Sequence, residues 1–88
     1  KISESKDVET DGLTYRVDTS EGDVTVYFEL AFITYTEGQV WNFKKMEKNN
    51  DLIIAVNGGT IDDQASQTIK KRYTNISVQY DGTNFIIL

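Results

Sequence analysis

Along most of the chain, apolar and polar residues alternate with the two-residue period of a half-buried β-strand. Leu13, Tyr15 and Val17 fall on one face, with Thr14, Arg16 and Asp18 opposite. Val24, Val26 and Phe28 alternate with Thr25, Tyr27 and Glu29. Trp41 and Phe43 oppose Asn42 and Lys44. Ile76, Val78 and Tyr80 oppose Ser77 and Gln79. Asp81-Gly82 then turns the chain and Phe85 to Leu88 returns, the clearest hairpin signal in the sequence. Leu52 to Val56 is apolar throughout, which predicts a central strand buried on both faces. Turn signals separate these runs: Ser20-Glu21-Gly22-Asp23, Glu37-Gly38, Asn49-Asn50-Asp51, Asn57-Gly58-Gly59 and Asp81-Gly82. The pattern predicts an all-β chain, an antiparallel β-sandwich or jelly-roll-like fold of roughly seven to nine short strands.

One segment departs from the period. In Thr60–Tyr73 the apolar residues Ile61, Ala65, Ile69 and Tyr73 recur every four positions, the spacing of a helix that Asp62 would cap. The rival is a loop through Asp62–Gln67 followed by a short strand around Thr68–Lys71. Periodicity by itself leans to the helix.

Residues 1–12, KISESKDVETDG, are polar and acidic and read as a linker or lead-in, with one domain over 13–88. The opening on Lys1 rather than Met points to a processed protein, or to a piece of a longer one. The longest apolar run, Val24 to Tyr35, is interrupted by Glu29, and it is well short of the about 20 residues a spanning helix needs. Membrane insertion is not expected.

Composition narrows the chemistry. The 88 residues include no Cys, His or Pro. A Ser-His-Asp triad, a Cys nucleophile, an ordinary zinc site and haem ligation by His or Cys are therefore excluded. The formal charge is −5. Residues 1–30 carry the whole excess, with three cations against eight acids, whereas residues 31–88 carry six of each. Nucleic acid is a poor partner for such a chain, because phosphate binding needs a basic stripe. Lys70-Lys71-Arg72 is the nearest approach to one, and it reads as a solvated edge.

Few residues stand out as candidate ligands. Asp62-Asp63 with Asn57 could offer oxygens to calcium, but the spacing is that of an ordinary polar turn, and no metal is expected. Glu29 is set among Tyr27, Phe28, Leu30 and Phe32, but alternation puts it on the solvent face of its strand or at a subunit seam. A glycosidase needs two carboxylates held about 5–9.5 Å apart; fourteen acids make some such pair inevitable, so no catalytic residue is assigned. Trp41 and Phe43 are expected in the core. Tyr35, beside the Glu37-Gly38 turn, and Tyr73 are expected to be exposed, where a ring can stack on a sugar or anchor an interface. Asn75-Ile76-Ser77 has the form of a glycosylation acceptor.

The order of these pieces is similar to a β module of fibre, spike and appendage proteins of bacteriophages and other viruses. The resemblance runs from about Leu13 to Leu88. It rests on Ser20-Glu21-Gly22-Asp23-Val24-Thr25-Val26, on Gly38 to Lys45 with its Phe43-Lys44-Lys45, on Ile54 to Asp62, and on the closing stretch from Tyr73 to Leu88. Two positions depart from the family's pattern. Phe28-Glu29 stands where Leu-Pro is common, and Asp63 where Gly is common after the Ile-Asp pair. The resemblance favours loop and strand over helix for Thr60–Tyr73. It implies a β-sandwich without enzymatic activity or cofactor that assembles as a homotrimer in a virion. Its expected partners are other virion proteins and a glycan or protein of the host surface. Sheet edges with no Pro to protect them agree with self-association. The alternative is a small adhesion or binding domain of a bacterial surface or periplasmic protein.

Overall fold

The computed structural model describes residues 6–8 and 14–88, so Leu13 and most of the acidic lead-in lie outside the described residues. Eight strands follow one another: β1 (Lys6–Asp7), β2 (Thr14–Val17), β3 (Val24–Glu29), β4 (Val40–Lys45), β5 (Leu52–Asn57), β6 (Ser66–Ile69), β7 (Asn75–Tyr80) and β8 (Phe85–Ile87). They form two four-stranded sheets, ordered β1-β3-β5-β6 and β2-β4-β7-β8. There is no helix among the described residues. The all-β sandwich expected from the alternation is what forms, and its strands begin and end within a residue or two of the alternating runs.

Its wiring is mixed rather than antiparallel. From β1 to β5 the chain crosses to the other sheet at every step, so each return to a sheet runs in the original direction. Three parallel ladders result: β1 with β3, β2 with β4, and β3 with β5. Thr14 lies beside Asn42 and Val24 beside Leu52, the same offset in both sheets. A parallel pair needs a long crossover, usually a helix. Here the intervening strand of the opposite sheet serves as that crossover. Antiparallel pairing appears only later, in β4 with β7, β5 with β6, and the hairpin of β7 with β8.

Alternation decides what faces inward. Val24, Val26 and Phe28 of one sheet meet Trp41 and Phe43 of the other, with Leu52, Ile54, Val56, Val78 and Phe85, all fully or almost fully buried. Phe28 is the centre, with ring centroids 4.1 Å from Phe85, 5.0 Å from Trp41 and 6.0 Å from Phe43. Within the first twelve residues, Lys6–Asp7 pairs with Val26 and Tyr27, and Val8 joins the core.

The central strand is a further correction. Leu52 to Val56 is not buried on both faces. Leu52, Ile54 and Val56 point inward, while Ile53 and Ala55 are half-buried on the outer face beside Thr25 and Tyr27. No third layer covers that face among the described residues, so an apolar side chain there is shielded only by its neighbours in the sheet. At Thr60–Tyr73 the loop and short strand favoured above form, and the helix to which the spacing by itself leaned does not. Ile61 and Ile69 are buried, but Ala65 and Tyr73 are exposed, which one helical face would not allow. Ile61 and Gln64 instead exchange backbone hydrogen bonds across Asp62-Asp63, both in left-handed conformation (φ 49° and 64°). Ser66–Ile69 then pairs with β5, placing Ile69 opposite Leu52.

The closing hairpin turns on Asp81. Its Oδ1 accepts the N–H of Asn84 at 2.8 Å and of Thr83 at 2.9 Å, and Gly82 supplies a φ of 101°. These two backbone donors hold the carboxyl below the ordinary aspartate value of 3.8, Asn84 contributing most. A depressed folded value means that the charged carboxylate stabilises the turn above the unfolded pKa, and that this is lost as pH falls through the folded value. An NMR titration is expected to show Asp81 protonating below 3.8, with amide exchange at Thr83 and Asn84 accelerating together with it. Phe28→Ala is expected to lower stability by about 3–5 kcal/mol, because a cavity opens between the sheets. A urea midpoint measurement checks this.

Candidate binding surface

The loops and strand ends gather at two ends of the sandwich. One end holds the segment after β3, the Asn57-Gly58-Gly59 turn and the Asp81–Asn84 turn. The other holds the 18–23, 46–51 and 70–74 connections. The two tyrosines singled out from the sequence lie at opposite ends and have opposite fates.

Tyr35 is in the core, only 5% exposed, contrary to the exposure expected of it. After β3 the chain doubles back, with Phe32 and Ile33 N–H donating to the Glu29 carbonyl. This brings Tyr35 over Phe28, with centroids at 5.6 Å, and edge-on to Trp41 and Phe85 at 5.3 and 5.4 Å. Its hydroxyl donates to the Val8 carbonyl at 2.7 Å and accepts the Glu29 N–H at 3.0 Å. Tyr35 therefore closes the open end of the sandwich and ties the β1 segment to β3. It offers no face to a ligand. A tyrosine next to a glycine turn looks like a strand-end residue in sequence; the fold-back that buries it is a tertiary event.

Tyr73 is half exposed, as expected, and stands in a left-handed conformation (φ 65°). Its N–H donates to the Lys45 carbonyl at 2.6 Å, which pins the turn to the end of β4. The Arg72 guanidinium lies 4.5 Å and the Lys44 ammonium 5.6 Å from the ring centroid, both within cation–π range. Arg72 is further held by donation from Nε to the Met46 carbonyl at 3.0 Å. Lys70 pairs with Asp51 at 2.9 Å on the surface, and that carboxylate pushes its pKa up. The Lys70-Lys71-Arg72 run is thus partly committed to intramolecular partners. What the turn presents outward is an electron-rich ring framed by positive charge.

The carboxylates are engaged in the framework. Glu29 accepts two hydrogen bonds from the Asn57 side-chain amide, at 2.7 and 3.0 Å, across the β3–β5 ladder. Asp62 Oδ1 accepts the Ile87 N–H at 3.0 Å. Asp62, Asp63, Asp81 and Asn84 border an open groove of about 350 Å³. Among the described residues no three acidic, His or Cys side chains stand close enough to hold a cation. Ser77 of the Asn75-Ile76-Ser77 sequence donates its hydroxyl to Asn42 Oδ1 at 2.6 Å within the sheet. Trp41 and Phe43 are fully buried, as expected.

Two residues escaped the sequence reading. Lys45 is fully buried. Its ammonium donates to the Glu47 carbonyl and, at 3.5 Å, to that of Asn49. The Thr19 hydroxyl donates to the same Asn49 carbonyl at 2.5 Å, and Asn50 Nδ2 donates to the Thr19 carbonyl at 2.8 Å. Lys45 thus organises the 46–50 loop from inside. Its signal was present, since the period that turns Trp41 and Phe43 inward does the same to Lys45. Phe32, 87% exposed, had no such signal. Alternation carried past Phe28 would have turned it inward; the turn that begins at Leu30 turns it out.

No helix among the described residues is long and apolar enough to cross a membrane. Comparison with protein-family models, with curated proteins and with solved structures returned no match.

Tyr35→Phe removes a buried donor and acceptor while keeping the ring. Because the Val8 carbonyl and Glu29 N–H lose their partner, a loss of about 1–3 kcal/mol is expected. Faster amide exchange at Glu29 is expected with it, and denaturant titration with hydrogen exchange measures both.

Proposed function

We propose that this chain is a non-enzymatic structural module of a virion appendage, a tail fibre, spike or capsid decoration, that works as a homotrimer and meets the host surface. The observation that carries the reading is the wiring. Strands that wind between two sheets and stack in parallel, as β2 with β4 and β3 with β5 do at the same offset, make a coil, and a coil is continued by more of the same backbone. This is an architecture suited to building length. Its outer strands are short edges, β1 and β6 on one sheet and β2 and β8 on the other. Edges of this kind are protected when a neighbouring copy covers them. The segments behind the resemblance to viral fibre modules fall on turns and strands of this framework: Ser20–Val26 enters β3, Gly38–Lys45 forms β4, and Tyr73–Leu88 forms the closing hairpin. Glu29, Asp62 and Asp81 spend carboxylate oxygens on Asn57, on the Ile87 N–H and within the closing turn, which fits a framework role for them. Tyr73 with Arg72 and Lys44 is the surface assigned to host contact, through a glycan or a protein.

The experiment is the solution mass by light scattering during size exclusion, over a dilution series. A mass near three chains that persists on dilution is expected. A stable monomer at every concentration would remove the trimer and favour an independent bacterial adhesion module. Tyr73→Ala is expected to leave the mass read at about 1 M salt unchanged and to weaken host-cell binding by about tenfold, about 1.4 kcal/mol.

A further inference from the structure

The charges of this molecule are sorted along the strand direction. At the end where β3 and β5 finish, the described residues carry Glu29, Glu37, Asp62, Asp63 and Asp81, and no Lys or Arg. Glu37 reaches the Gly82 turn, so the β3–β4 and β7–β8 connections share one acidic end. Lys44, Lys70, Lys71 and Arg72 cluster at the opposite end, which with Arg16, Lys48 and the buried Lys45 carries seven cations against the five acids Asp18, Glu21, Asp23, Glu47 and Asp51. Each end also exposes an aromatic ring. Phe32 projects from the acidic end at 87% exposure, and Tyr73 stands at the basic end framed by cations. Phe32 makes no contribution to the core, so its ring is free to meet another surface.

We propose that the acidic end of one copy docks on the basic end of the next. Phe32 would meet the Arg72–Tyr73–Lys44 cluster, and the carboxylates would meet Lys71 and its neighbours. The occupant is a second copy because the acidic end, which has no Lys or Arg among its described residues, complements the Lys44–Lys71–Arg72 cluster in charge, and Phe32 has no cation beside it whereas that cluster offers guanidinium and ammonium groups. The contact is heterologous, so it does not close on itself and extends along the strand axis. It is separate from trimer formation, which would cover sheet edges; a trimer whose strands run lengthwise would stack through these same ends and leave the Tyr73 cluster open to the host only at its terminal copy. The inference stands whether the side-by-side assembly has three copies or one.

The test is sedimentation velocity of the whole chain at about 0.01 M and about 1 M salt, where the screening length falls from roughly 30 Å to roughly 3 Å. Concentration-dependent species larger than the basic unit are expected at low salt and not at high salt. Phe32→Ser, at a site too exposed to disturb the fold, is expected to weaken this growth by at least tenfold while leaving the basic unit intact. Two charge reversals decide the geometry: Asp62→Lys with Asp63→Lys at one end, and Lys71→Glu with Arg72→Glu at the other. Each protein alone is expected to stop growing, and a mixture of the two is expected to associate again. Growth indifferent to salt and to Phe32, or a mixture that stays apart, would overturn the proposal. Neither result would touch the trimer, whose mass is read at high salt.

Discussion

Contact between Phe28 and the rings of the opposite sheet is the interaction on which this sandwich depends. Phe28 meets Trp41, Phe43, Tyr35 and Phe85, which come from three other parts of the chain. In a domain of this size the buried fraction is modest, and there is no disulfide to compensate. Aromatic side chains supply much buried area per residue, and edge-on packing adds to it. Tyr35 extends the same cluster to the end of the sandwich. It also spends its hydroxyl on the Val8 carbonyl and the Glu29 N–H, joining core packing to backbone satisfaction. A ring that serves both purposes cannot also serve a ligand.

The opposite end is closed by different means. There the connections are polar, and the interior is finished by the stem and ammonium of Lys45 rather than by a ring. A buried charge is costly unless its donors are met, and the 46–50 loop meets them with carbonyl groups. Thr19 and Asn50 join the same network from the neighbouring connection. The basic turn at Tyr73 is fastened to this network through the Lys45 carbonyl. The proposed contact surface therefore rests on an anchored backbone, and its cations are arranged around a ring instead of spread along a stripe.

Sorting of charge by end follows from the wiring. Because β3 and β5 run in parallel, their C-terminal turns lie side by side, and Glu29 comes to share an end with Asp62, Asp63 and Asp81 from distant parts of the chain. In sequence the acidic excess belongs to the first third, much of it outside the described residues. In space the boundary lies elsewhere. Charge counted along the chain and charge counted along the molecule are different quantities, and only the second governs docking.

The alternation of side chains determined most strands and their inward faces, because a two-residue period admits only one choice of face once a core must form. The Asp-Gly hairpin was equally local, its turn closed by the Asp81 side chain bonding its own backbone. What alternation could not determine was pairing. Whether a strand's neighbour comes from the same or the opposite direction depends on where the chain crosses between sheets, and both wirings bury the same residues. Tertiary structure alone therefore decided that β2 lies beside β4 and β3 beside β5, that Tyr35 is buried while Tyr73 is not, and that the acids of three turns meet at one end. Local patterns record which face of a strand avoids water; they carry no record of what lies across a turn twenty or more residues away, and it is there that this protein's surface is assembled.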